Sequence, residues 1–167
     1  MGQKEDLLQE LEATLPSLRR YARALCAGGG SGATDDLVQT ALERATAKVR
    51  AKELQAGESG AARLCAYRAL TALAREKTAG TAPKTAAQQP LVVQGLANLP
   101  FNERATLLLV ALEGFSYEAA SSILEVPRAV LLGQLQRARS ALSALDLRPF
   151  ASSDRLRRAS AYLRIVK

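Results

Sequence analysis

The stretch LPFNERATLLLVALEGFSYEAASSILEVPRAVLLGQLQRARSAL, residues 99–142, decides the fold. Glu103 to Glu113 reads as a strongly apolar helix, with Leu107, Leu108, Leu109, Val110 and Leu112. Gly114 stands where a helix ends, and Ser116 caps the next one with Glu118 in its first turn. Ala119, Ala120, Ile123 and Leu124 face inward from this short helix. Pro127 opens a last helix, where its missing N–H costs nothing. Leu131, Leu135, Ala138, Leu142 and Leu145 then recur at steps of four and three. The pattern is that of a helix-turn-helix, whose last helix can lie in a DNA major groove.

On that last helix, from Pro127 to about Leu145, the reading places Arg128, Gln134, Arg137 and Arg139 at or near the outer surface. Arg pairs with guanine edges or phosphates and Gln with adenine. The competing explanation is a solvated polar face on a packed helix.

Upstream, Leu8, Leu11, Leu15, Leu18, Ala22 and Leu25 make one apolar stripe on a first helix, with Arg19, Arg20 and Arg23 opposite. Pro16 predicts a kink or split near residues 14–16. Gly28, Gly29, Gly30 and Gly32 form a loop that lacks the following Lys-Ser/Thr and the preceding strand of a phosphate site. Thr34 is expected to cap a second helix, with Asp35 and Asp36 in its first turn and Val38, Ala41, Leu42, Ala45 and Val49 on its buried side. Its outer face, Asp35, Asp36, Gln39 and Glu43 beside an exposed Leu37, reads either as capping plus solvated charge or as a docking surface for a basic partner. A third helix spans about residues 61–76. The stretch KTAGTAPKTAAQQP, residues 77–90, reads as an interdomain linker. Strand-type alternation is absent. The expected fold is all-α: two small helical domains, 1–76 and 91–145, joined by a flexible linker at 77–90, the second containing the helix-turn-helix, with a basic tail at 146–167.

Composition narrows the function. The chain has 167 residues, 48% apolar but only 4% aromatic, so its core must be built mainly from Leu, Ala and Val. The net charge of +7 is unevenly spread: residues 127–167 carry 9 basic and 2 acidic groups, whereas residues 101–126 carry 1 and 4. The basic excess begins where the last helix begins, which suits a polyanionic partner. With no His, and with Cys26 and Cys65 at no metal-ligand spacing, little acid–base or metal chemistry is available. No catalytic residues, metal, cofactor or small-molecule substrate are expected. The N-terminus lacks a signal-type apolar core and no run approaches membrane-spanning length, so the expected location is cytoplasmic, without membrane insertion.

LRRYARAL (residues 18–25), DDLVQTALERA (35–45), the segment from Leu99 to Pro127, and LQRARSAL (135–142) together resemble an extracytoplasmic-function sigma factor, most closely the general-stress branch. The resemblance covers nearly the whole chain. It implies a non-enzymatic protein that binds core RNA polymerase, directs it to promoter DNA and is held inactive by an anti-sigma factor. It places Asp35, Asp36, Leu37, Val38, Gln39 and Glu43 on the polymerase-docking helix. It also places Tyr67, Arg68 and Arg75 at the minus-ten element, and residues 128–139 at the minus-thirty-five element. Three departures from the family pattern stand out. Tyr67 is the only aromatic in the segment matching the promoter-melting helix, Glu125 replaces the usual turn Gly, and Gly133-Gln134 replaces Ser-Arg. The alternative these leave is a sigma-like decoy that sequesters an anti-sigma factor without productive promoter binding.

Overall fold

In the computed structural model, which describes residues 2–26, 31–51, 60–78 and 90–144, every regular element is helical. Helix α1 is Gly2–Leu25, α2 Ser31–Arg50, α3 Ala61–Thr78, α4 Leu91–Asn98 and α5 Phe101–Leu107, which continues into a π-helical turn at Leu108–Leu112. Helices α6, Tyr117–Leu124, and α7, Arg128–Ala144, follow. The all-α expectation holds among the described residues. Most of the segment taken as a linker, and the whole 146–167 tail, lie outside them; α3 itself runs two residues past the expected boundary, to Thr78.

Helices α1, α2 and α3 pack through Leu11, Leu18, Val38, Ala41, Ala66 and Leu70, all buried. Small Ala residues at the crossings let the backbones approach closely, so a core poor in aromatics closes with few large side chains. At its centre Tyr21 and Tyr67 are both fully buried, their ring centroids 5.2 Å apart, and the Tyr21 hydroxyl lies 3.0 Å from Thr71 Oγ1. The kink expected at Pro16 does not split α1, which continues through it to Leu25. Its flanking turns are held by packing, and Ser17 Oγ donates to the Thr14 carbonyl at 2.8 Å.

The later helices start where prolines preset the backbone: Pro90 and Pro100, at φ −53° and −52°, precede α4 and α5. The π-helical turn widens the end of α5, with Glu113 N donating to Leu108 O and Phe115 N to Leu109 O, both at 3.0 Å. Gly114, at φ +70°, then reverses the chain in a conformation that disfavours a side chain. Ser116 Oγ accepts from Ala119 N at 3.1 Å, the N-cap the sequence predicts. Glu125 closes α6 in the left-handed region at φ +56°, and Leu131 N donating to Pro127 O at 3.1 Å opens α7. Thus Glu125 occupies the positive-φ position that its place in the turn implies.

The sequence predicts two helical units free to move independently. Instead, one apolar cluster runs from α1–α3 into Ala105, Leu108, Leu109, Ala120, Ile123, Leu124 and Leu131. The physical reason is that Ala-rich helices bury little area alone, and joining the two groups extends the core.

Candidate protein and nucleic-acid interfaces

Three surfaces carry the residues singled out by the sequence. On α2, Asp35, Asp36, Gln39 and Glu43 are exposed, and Gln39 Nε2 donates to Glu43 Oε1 at 3.1 Å. Two expectations here are corrected. The helix begins at Ser31, so Thr34 lies inside it and buried, and the two aspartates fall beyond its first turn. Leu37, expected to be exposed, is only 4% exposed, because it shares the inward side with Val38 and Ala41. Beside the acidic face lies a groove of about 890 Å³ between α1 and α2, lined by Leu15, Arg19, Val38, Leu42, Glu43 and Arg50 among others. An apolar floor with charges of both signs on its rim is a surface suited to a protein partner.

On α3 the candidate DNA contacts are engaged by the later helices. Tyr67, which the resemblance places at the minus-ten element, is fully buried, a third correction. Its hydroxyl donates to Glu113 Oε2 at 2.7 Å, and its ring meets Phe115 edge-on with centroids 4.8 Å apart. Burial pushes the Tyr67 phenol up to about 12, and the neighbouring Glu113 carboxylate adds to the shift. Arg68 Nη2 donates to the Ser122 carbonyl at 2.7 Å and lies 3.0 Å from Ser122 Oγ. The guanidinium therefore caps the Ser122 carbonyl in the last turn of α6, where the helix dipole favours a cation. Arg75 Nη2 donates to Asn102 Oδ1 at 3.3 Å.

The contact that organises this junction was missed in the sequence. The Glu113 side chain is fully buried and accepts from Arg20 Nε and Nη2, both at 3.1 Å, as well as from Tyr67. Arg63 lies over the Phe115 ring at 4.3 Å and donates from Nη2 to the Glu113 carbonyl at 2.9 Å. The hydrogen bond and charge of Glu113 raise the Arg20 pKa above its ordinary value. The π-helical turn places the Glu113 carboxylate where α1 and α3 converge. Nothing in helical periodicity marks Glu113 as inward, because the turn breaks that periodicity at its own position.

On α7, Arg128, Arg137 and Arg139 are exposed, as expected. Arg128 Nη1 lies 2.5 Å from Glu118 Oε1, and Arg137 Nε donates to Glu103 Oε1 at 2.7 Å. The Glu118 carboxyl is held below its usual range first by its own backbone N–H at the start of α6, and then by Arg128. Gln134, expected at the outer surface, is buried, and its Oε1 accepts from the buried Thr106 hydroxyl at 2.8 Å. The wheel explains the correction: Gln134 is three residues after Leu131 and four before Ala138, on the inward stripe. The same wheel turns Gln136 outward, where it is exposed.

No cluster of His, Cys, Asp or Glu able to hold a metal occurs among the described residues, and no described helix is long and apolar enough to cross a membrane. Cys26 and Cys65 are half-buried thiols, and burial raises the pKa of Cys26. The described residues are all-helical, with an acidic, grooved helix early in the chain and an exposed basic helix late in it, surfaces of the kind that suit macromolecular partners.

Comparison with known proteins places it more closely. The family of the Sigma2 domain of PhyR matches residues 11–71. A Rhodopseudomonas palustris (strain TIE-1) protein, the ECF RNA polymerase sigma factor EcfG, is 33% identical over 160 residues, covering 84% of this chain and 85% of its own. The sigma factor RpoE in complex with the anti-sigma factor NepR, from Bartonella quintana, shares the fold with a TM-score of 0.65 at 24% identity. That alignment covers 84% of this chain and 96% of RpoE. The PhyRSL–NepR complex from Sphingomonas sp. Fr1 gives a TM-score of 0.62 at 30% identity, covering 87% and 94%. The chain belongs to the extracytoplasmic-function RNA polymerase sigma factors, of the general-stress type. Its relatives are not enzymes.

Proposed function

We propose that this chain is a promoter-specificity subunit that binds core RNA polymerase through α2, directs it to promoter DNA in a stress response, and is controlled by an anti-sigma factor. Kinship with EcfG across 84% of the chain, spanning both α2 and α7, is the observation that carries the reading. In it, residues 1–76 and 91–145 act as two units joined by 77–90, and the 146–167 tail adds basic charge. Asp35, Asp36, Gln39 and Glu43 meet the polymerase at the surface, and Leu37 and Val38 hold the helix that carries them. Helices α6 and α7 act as a helix-turn-helix at the upstream promoter element, with Arg128, Arg137 and Arg139 on its exposed side. Tyr67, Arg68 and Arg75 reach the downstream element only after the later helices part from α3, since each is engaged by them here. Activation then includes a change from this closed arrangement to an open one on the polymerase. The cytoplasm is where such a partner is met.

Co-elution of the full chain with purified core polymerase tests the assignment. Association that is weakened by Glu43→Lys with Asp36→Lys supports it, because reversing rim charges mainly slows encounter with a complementary partner. The family match to the PhyR Sigma2 domain favours a second reading, a decoy for the anti-sigma factor. That reading requires tight binding of a NepR-type anti-sigma protein with no association with core polymerase.

A further inference from the structure

The direction on the last helix that points furthest from the core carries residues other than its exposed arginines. The buried residues of α7 are Leu131, Gln134, Leu135 and Ala138. At about 100° per residue, the direction opposite them falls on Ala129, Gly133, Gln136 and Ser140, with Leu132 beside them. Arg128, Arg137 and Arg139 lie at the margins of this face. Arg128 and Arg137 are moreover paired with Glu118 and Glu103. Gln136 is exposed and no described residue bonds its amide, and Leu132 leaves 40% of its surface in solvent.

Gly133 supplies an independent observation. A glycine inside a helix costs about 1 kcal/mol relative to alanine, yet nothing among the described residues requires one. A Cβ added there would meet, among the described residues, only Arg137 Nη1, at 3.4 Å, the far end of a long side chain whose Nε is paired with Glu103. The missing side chain therefore clears space on the outer side, where a second molecule can approach the helix backbone closely.

We infer that α7 reads base edges through Gln136 and Leu132, with the bare backbone at Gly133 against the duplex and Arg139 on a flanking phosphate. This rests on the reading of α6 and α7 as a DNA-binding unit and names the residues that set its specificity. Glutamine offers one donor and one acceptor in the spacing of adenine N6 and N7, and an aliphatic side chain in the major groove packs on the thymine methyl. Leu132 and Gln136 are one turn apart, about 6 Å along the helix, and base pairs rise about 3.4 Å. The two side chains thus meet base pairs one or two steps apart. The reader is Gln136, and Gln134 serves the interior.

The test is selection of upstream promoter sequences from a randomised duplex library by the full chain assembled with core polymerase, repeated with Gln136→Ala, Gln136→Arg and Leu132→Ala. Both positions are exposed, and thermal unfolding of each of the three variants should match the parent. The parent should select an adenine, with a thymine preference one or two steps away. Gln136→Ala should cut the adenine preference by about 5- to 100-fold and leave other positions intact. Gln136→Arg should move the preference to guanine, and Leu132→Ala should flatten the thymine preference alone. Unchanged preferences in Gln136→Ala, a uniform loss at all positions, or weakened binding of a NepR-type anti-sigma protein with selection intact would each overturn the inference. Failure of the parent itself to select any upstream motif would instead overturn the DNA-binding reading beneath it.

Discussion

Replacing Glu113 with alanine should loosen the junction between α1–α3 and the later helices. The carboxylate is fully buried and joins Arg20 of α1 to Tyr67 of α3. Its removal takes away the carboxylate that accepts from the buried Tyr67 hydroxyl and leaves only the Ser17 hydroxyl beside it, a penalty of about 1–3 kcal/mol. Arg20 adds little, because more than half of its side chain is in solvent and water can replace the lost partner. The Arg63 contact survives, since it goes to the Glu113 backbone carbonyl. A loss of about 2 kcal/mol corresponds to roughly a 30-fold shift from the closed towards the open arrangement. Amide hydrogen exchange on the full chain measures this locally, and urea unfolding measures it globally. Exchange should quicken by about that factor in α3 and α6, and the unfolding midpoint should fall. Glu113→Gln keeps an oxygen for Tyr67 and should cost less than half as much. Equal costs for the alanine and glutamine variants, or unchanged exchange in α3 and α6, would refute the assignment of Glu113 as the junction's organising group.

Three further outcomes follow from the same geometry. Gln134→Leu strands the buried Thr106 hydroxyl, so stability should fall by about 1–3 kcal/mol in urea unfolding while promoter sequence preference stays unchanged. Glu125→Gly removes a side chain from a φ of +56° and gives up only an exposed ion pair to Arg68 at 3.7 Å; the melting temperature should rise by about 2–4 °C. For alkaline pH, Tyr67 binds its proton more tightly folded than unfolded, because burial disfavours the phenolate. Its stabilisation is therefore complete below about pH 10 and is lost as pH rises towards about 12. Urea midpoints measured across this window should fall less steeply in Tyr67→Phe than in the parent.

The all-helical fold was legible because apolar spacing of three and four residues repeats along α1, α2, α3 and α7. The Ser116 cap, the Gly114 stop and the strained turn at Glu125 were legible for a local reason, since each depends on the chemistry of a few adjacent residues. What escaped was set by distant partners. Tyr67 was placed at the minus-ten element by resemblance, and its burial was not legible because it is completed by Glu113 and Phe115, 46 and 48 positions away in the chain. Leu37 and Gln134 were misplaced for different reasons. Leu37 was read as flanking an acidic face, although it shares the inward side of Val38 and Ala41. Gln134 was read by residue type, although its spacing from Leu131 and Ala138 already put it inside. The packing of the two helical groups against each other was not legible either, because small-residue cores gain from merging, a property of packing that no local pattern displays.

Promoter-directed transcription from a mixed genomic template, using purified core polymerase with and without the full chain, tests the central claim most directly. The account predicts new transcripts whose start sites share an upstream element, made only when the chain is present and suppressed when a NepR-type anti-sigma protein is added. No chain-dependent transcript, from a preparation that binds that anti-sigma protein tightly and leaves core polymerase alone, would contradict it and establish the decoy.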